Sequence, residues 1–213
     1  MRKNNPYRFL WVAIFLLNLA LKAPLQAQTQ PKTRLATEPA PTSPDDPQLY
    51  RNATFGFHFQ TPYGWVDRSK EMQQAAEAGK TDLLLAMFQR PPDATGDTVN
   101  SAVVFASESA ASYPGLKKAE DYLGPLAELA TAKGFKADGE PYSIEVESRQ
   151  LWRADFAKPI NDKLTMHQCT LVLLAKGQIV SFTFIAGSDA ELDELMDGLH
   201  FIAPKSPAHR ISK

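Results

Sequence analysis

The chain has 213 residues, 44% of them hydrophobic, and a formal net charge of −1, which is enough apolar material for one packed core. The Lys and Arg residues are scattered, with no basic block left once the first 27 residues are set aside, so nucleic acid is excluded as an expected partner for want of a basic face. The only cysteine, Cys169, excludes an internal disulfide, so stability has to come from burial.

The first 27 residues read as an export signal. Arg2, Lys3 and Arg8 form a cationic start, Phe9 to Leu21 an apolar run, and Pro24-Leu25-Gln26-Ala27 a small-residue exit with cleavage after Ala27. The run is shorter than the roughly twenty apolar residues a bilayer span needs, with Asn18 interrupting it and Lys22 closing it. The alternative is a retained anchor through residues 9–21. No cysteine stands near the exit, so attachment as a lipoprotein is excluded. Removal of Arg2, Lys3, Arg8 and Lys22 with the leader leaves 19 of the 23 basic residues against all 24 acids. The exported protein, periplasmic or secreted, is then mildly acidic.

From Gln28 to Pro47 five prolines stand among Thr, Ser, Ala, Gln and acids, with Leu35 as the only large apolar side chain. Such a stretch cannot bury a core and is expected as a disordered tether (28–47). The body of the protein is expected over 48–203, followed by a frayed tail (204–213).

Within the body, Phe55, Phe57 and Phe59 alternate with Gly56, His58 and Gln60 and predict a half-buried strand. It stops at Thr61-Pro62 and turns through Tyr63-Gly64 before Trp65. A short helix is expected over Asp67 to Ala78, ended by Gly79, and strands over Asp82 to Gln89 and Val99 to Ser107. Leu116 to Lys133 carries Ala119, Tyr122, Leu123, Leu126, Leu129 and Ala130 at helical spacing, with Gly134 at its C-terminus. Pro125 inside it either kinks that helix or opens a second one. Pro141 to Glu147 and Gln150 to Ala157 are two further strands. A two-residue turn at Lys176-Gly177 predicts a hairpin pairing Leu173 with Val180, Leu171 with Phe182 and Cys169 with Phe184, so that one face is wholly apolar. Ser188 and Glu191 form a capping box ahead of Leu192, Leu195, Met196 and Leu199, predicting a terminal helix.

In their order, Phe55-Gly56-Phe57, Pro62-x-Gly64-Trp65, Ala119-Glu120-Asp121-Tyr122-Leu123 and the Leu171 to Phe184 hairpin before a short acidic helix resemble the PsbP-like group, over Leu49 to Ala203. The resemblance implies an α+β fold: an antiparallel sheet of about six to seven strands flanked by helices on both faces, an α-β-α sandwich. Members of that group act mostly as accessory or adaptor proteins that bind partners, among them a lumenal photosystem II subunit and a nuclear-transport regulator. No catalytic residue is carried over from it.

The chain has no Gly-x-Ser-x-Gly elbow, Gly-rich phosphate loop, His-Glu-x-x-His or Cys-x-x-Cys. Its four histidines, His58, His167, His200 and His209, lie far apart, against a tetrahedral zinc site. One polar cluster stands out. A hairpin joining Gln150 to Ala157 with Lys163 to Leu174 through Pro159-Ile160-Asn161 puts Arg153, Asp155 and His167 on one face, with cross-strand ion pairing at a sheet edge as the simplest role and acid-base chemistry as the alternative. A one-residue slip turns His167 toward Trp152 instead. Cys169 reads as core rather than nucleophile, Trp65 and Trp152 as packing rather than groove lining, and the acidic Asp189 to Asp197 face as solvated helix rather than a calcium loop.

The expectation is therefore an exported, non-enzymatic binding or adaptor domain with a protein partner and no cofactor, metal or catalytic residue. The alternatives are a small exported hydrolase or lyase using His167 with Asp155, and an envelope-associated structural protein held by its N-terminal segment.

Overall fold

The computed structural model describes residues 48–75, 81–91 and 97–202. The expected leader, tether and tail lie outside the described residues, as does Gly79. The strands are β1 (Leu49–Asn52), β2 (Phe57–Gln60), β3 (Val66–Asp67), β4 (Thr81–Phe88), β5 (Ala102–Ser109), β6 (Lys136–Ala137), β7 (Tyr142–Val146), β8 (Arg149–Asn161), β9 (Leu164–Ala175), β10 (Gln178–Ala186) and β11 (Leu199–Phe201). The helices are α1 (Ser69–Ala75), α2 (Leu123–Ala132) and α3 (Asp189–Asp197). Among the described residues, no helix is long and apolar enough to cross a membrane.

The main sheet is antiparallel and has eight strands in the order β3-β4-β5-β10-β9-β8-β6, with β7 also pairing β8. Two of the eight, β3 and β6, are only two residues long. Strands β1, β2 and β11 form a separate three-stranded sheet. The Phe57 to Gln60 strand therefore does not extend the main sheet. It lies across one face of it, and the reason is its aromatic edge. Phe57 meets Phe182 at 5.0 Å between ring centroids and Phe59 meets Phe105 at 5.1 Å, both edge-on, the arrangement ring quadrupoles favour. Phe55 is buried with them but belongs to the turn before the strand, where Gly56 takes a φ of 71°.

The same face of the main sheet carries Val103, Phe105, Leu171, Val180, Phe182 and Phe184, and α3 adds Leu192 and Leu195 to that core. On the opposite face α2 packs Leu123, Leu126 and Leu129 against Phe156, Val172 and Ile179. There α1 places Met72 over Ala86, Phe88, Val104 and Ile185. Helices thus stand on both faces of an antiparallel sheet. The mixed face of the hairpin, Thr170, Val172 and Leu174 opposite Thr183, Ser181 and Ile179, is the one that α2 partly covers.

The β9–β10 register is the one expected: Leu173 faces Val180, Leu171 faces Phe182 and Cys169 faces Phe184. Lys176 and Gly177 both have positive φ, 53° and 74°, as a two-residue hairpin turn that follows the strand twist requires. Elsewhere the structure corrects the sequence reading. Helix α1 begins at Ser69, after Asp67 has been taken into β3 and turned its Oδ1 to accept from the Ser69 amide at 2.8 Å. Of the two roles left open for Pro125 the structure takes the second: a 3-10 turn over Ala119–Tyr122 precedes α2, so Pro125 sits in the first turn, where its missing amide hydrogen costs nothing. Gly134, with φ 83°, ends α2 as expected; its amide reaches Thr131 O at 2.9 Å and that of Phe135 reaches Ala130 O at 3.1 Å. Pro159-Ile160-Asn161 is not a loop but the irregular end of β8. Asn161 pairs with Leu164, and the turn lies at Asp162-Lys163.

Candidate functional site

The longest strands, β8 and β9, carry the polar cluster. Their register pairs Asp155 with Cys169 and Ala157 with His167, so Arg153, Asp155 and His167 share one face, as expected, and His167 does not face Trp152. The face is the one beneath α3. A groove of about 290 Å³ opens there, lined by Asp138, Tyr142, Arg153, Asp155, His167 and Asp189 among others. Arg153 Nε donates to both oxygens of Asp155, at 3.0 and 2.9 Å, and Nη1 lies 3.8 Å from Asp193. The guanidinium also stands 5.7 Å from the ring centre of Tyr142, whose side chain is half-exposed. Burial works against the charge of Arg153. The Asp155 hydrogen bond and the surrounding acidic groups outweigh it and hold the guanidinium pKa above its ordinary value.

The imidazole finds a different acid from the one expected. His167 Nδ1 lies 2.8 Å from Asp189 Oδ1, while Asp155 is taken by Arg153. The pairings also run within one strand and from strand to helix rather than across strands at an edge. With Nδ1 donating to Asp189, the basic ring atom is Nε2, which gives a carboxylate–imidazole dyad on the groove wall. Asp189 and Asp193 are four residues apart on α3 and so lie on the same side of it, each reaching a base on the sheet while the helix's acidic face stays exposed, as expected. Helix α3 is placed by its N-terminus. Ser188 Oγ accepts from the Glu191 amide at 3.3 Å, one half of the capping box. The other half is altered: the Glu191 carboxylate accepts from the Gly187 amide at 3.1 Å and from Ser101 Oγ at 2.6 Å, tying the helix to the strand region before β5.

Sequence reasoning missed Asp189, Asp193, Tyr142 and Asp138, because each comes from an element whose position over β8 and β9 is set by tertiary packing. The alternation of Tyr142 along β7 was the one signal that could have placed it beside Arg153, its register partner. Cys169, fully buried beneath the groove, has its thiol pKa pushed up by burial and by the nearby Asp155 carboxylate; Met196 Sδ is 3.4 Å from its sulfur. Trp152 packs against the α2 side of the sheet, whereas Trp65 packs at the rim of the aromatic core and also lines a second groove near β1. Among the described residues, no group of three or more His, Cys, Asp or Glu side chains is arranged to hold a metal ion.

No protein-family profile matches the chain, and no curated protein does. Similar solved structures exist. One is cyanobacterial PsbP from Synechocystis sp. PCC 6803, with a TM-score of 0.48 and 14% identity over 72% of this chain and 91% of that one. A second is LpqN of Mycobacterium tuberculosis, described as involved in cell envelope biogenesis, with a TM-score of 0.42 and 15% identity over 72% and 89%. A third is a variant of the protein Mog1, with a TM-score of 0.42 and 10% identity over 72% and 95%.

Proposed function

We propose that the chain is an exported, non-enzymatic binding domain that recognises a protein partner at the groove between α3 and strands β7 to β9. The observation that carries this reading is the half-exposed Tyr142 beside the Arg153 guanidinium, with Asp155 held by Arg153 and Asp189 by His167 around them. Tyr and Arg are the side chains that most often anchor protein interfaces, because each offers a rigid apolar surface with a polar end. The test is photo-crosslinking from position 142 in the native host, compared with a Tyr142→Ala chain used as bait. One host protein that crosslinks at 142 and is lost with Tyr142→Ala supports the reading. Equal recovery by both chains overturns it. Export has its own test in the N-terminal sequence of the mature form: a start at Gln28 supports cleavage, and unprocessed chain in the cytosol overturns export. An unprocessed chain in the membrane fraction supports the alternative of an envelope protein held through residues 9–21.

One observation favours a second reading, a small hydrolase or lyase: the 2.8 Å His167–Asp189 contact in the groove. The base is then His167 and its orienting carboxylate Asp189, in place of the Asp155 expected from the sequence. Turnover of an ester, glycoside or peptide panel that disappears in His167→Ala and falls in Asp189→Asn supports this reading. Turnover unchanged by both substitutions overturns it.

A further inference from the structure

Where the main sheet adjoins the α3 groove it ends in an open edge: β7 pairs β8 on one side and no other strand among the described residues. At the opposite end of the sheet β3 is only two residues long, too short to hold a partner strand. Counted from the two-residue turn at Glu147-Ser148, the residues Val146, Ile144 and Tyr142 turn their backbone hydrogen bonds toward β8, so the N–H and C=O groups of Ser143 and Glu145 point off the sheet. Among the described residues nothing bonds to them. Side chains alternate along this edge. Tyr142, 46% exposed, and Ile144, packed against the aromatic core, lie on the α3 face, and the exposed Ser143 and Glu145 lie on the other.

The charge along this edge is of one sign. Between Lys136 and Arg149 the chain has four acids, Asp138, Glu140, Glu145 and Glu147, and no base; the neighbouring α3 has five acids and no base. The Glu147 carboxylate is taken by His200 and the Phe201 amide, whereas those of Asp138, Glu140 and Glu145 have no hydrogen bond or ion pair among the described residues. A second copy of β7 would bring the same acids against these, and like charges across paired strands repel. The open backbone thus calls for an extended chain, the Ile144 side for an apolar residue and the Glu145 side for a base. We infer that the partner engages β7 as an added antiparallel strand alternating basic and apolar residues, its bases opposite Ser143 and Glu145 and its apolar side chains beside Tyr142 and Ile144. This rests on the reading of the groove as a protein-binding site and names the form of the partner, an extended basic segment. Main-chain hydrogen bonds then give affinity, and the alternate side chains give the choice of partner.

The test uses the full chain and follows amide exchange at Ser143 and Glu145 by NMR, with and without a blocked heptapeptide that alternates Lys and Val and has Lys at both ends. Both amides are expected to exchange freely in the chain alone and to slow about tenfold with the peptide at about ten times its Kd. N-methylation of the lysines, whose amides face β7 in the paired register, is expected to abolish the slowing, and N-methylation of the valines to leave it. A peptide with Glu in place of each Lys is expected not to bind. Amides already protected in the chain alone overturn the inference, as do no slowing by the unmodified peptide, equal effects of the two N-methylated forms, or equal binding of the Lys and Glu peptides. In the host, Ser143→Pro removes an outward N–H and spares the ladder to β8, because an edge strand accepts proline where the missing donor faces out. With an unchanged melting temperature as the control for folding, the crosslink from position 142 is expected to be lost. A crosslink that survives Ser143→Pro overturns the inference and leaves the binding reading in place. Absence of a crosslink from the unsubstituted chain overturns that reading instead, and the peptide decides the edge by itself.

Discussion

Glu108, near the end of β5, is 3% exposed and accepts hydrogen bonds from Tyr113 and, at 3.2 Å, from Tyr122. Burial raises its pKa, and the two phenol hydroxyls only partly offset that. The sign of the linkage follows. A carboxylate whose folded pKa exceeds its unfolded value contributes stability that is fully present below the unfolded value, near 4.3, and lost as pH rises through the folded one. Glu108→Gln, which keeps the shape without the charge, is therefore expected to flatten the fall in melting temperature from pH 4 upward. Parallel profiles for the two chains refute this. Tyr122→Phe removes one donor to that carboxylate and is expected to cost about 1 kcal/mol in urea unfolding. Cys169 gives a second prediction at this scale. Its thiol, buried and pushed up in pKa, is expected to stay unmodified by a maleimide until the protein is unfolded; labelling of the native protein contradicts the assigned burial.

At the scale of the element, α3 decides where Asp189 and Asp193 stand, and its N-terminus decides where α3 stands. Ser188→Ala is expected to cost about 1 kcal/mol, the usual worth of an N-cap hydroxyl, measured by chemical denaturation. Glu191→Ala loses bonds to both Gly187 and Ser101 and is expected to cost more than Ser188→Ala; the reverse order refutes the altered capping box. The elements legible from sequence were those with local causes. The β9–β10 register followed from alternation around Lys176-Gly177, and the end of α2 from Gly134. The elements left open or read wrongly were those where two local signals competed. Helical spacing ran from Leu116 to Lys133, yet Pro125 was better placed at a helix start, and a proline-containing tripeptide at 159–161 resembled a loop although strand pairing continued past it.

For the molecule as a whole, stability is expected to rest on the contact between the two sheets. Phe57, fully buried, touches Phe105, Phe182 and Phe201 at once, and Phe57→Ala is expected to cost about 3–5 kcal/mol, as truncations of a packed aromatic core do. A loss below 1 kcal/mol in thermal or urea unfolding refutes that place for the small sheet. The same packing makes both grooves. One opens where α3 leaves β7 and β8 uncovered, and the other where the small sheet stops short of β4.

The amino-acid order alone determined the strand alternation, the β9–β10 hairpin register and the glycine punctuation at Gly134 and Gly177. All of these depend on side chains a few residues apart or on a single turn. Tertiary structure alone decided that β2 covers the main sheet instead of extending it, which of its two faces the helix α3 covers, and that Asp189 rather than Asp155 meets His167. A strand's two faces are written in its period, but which distant surface each one meets depends on aromatic and helical packing between elements far apart in the chain.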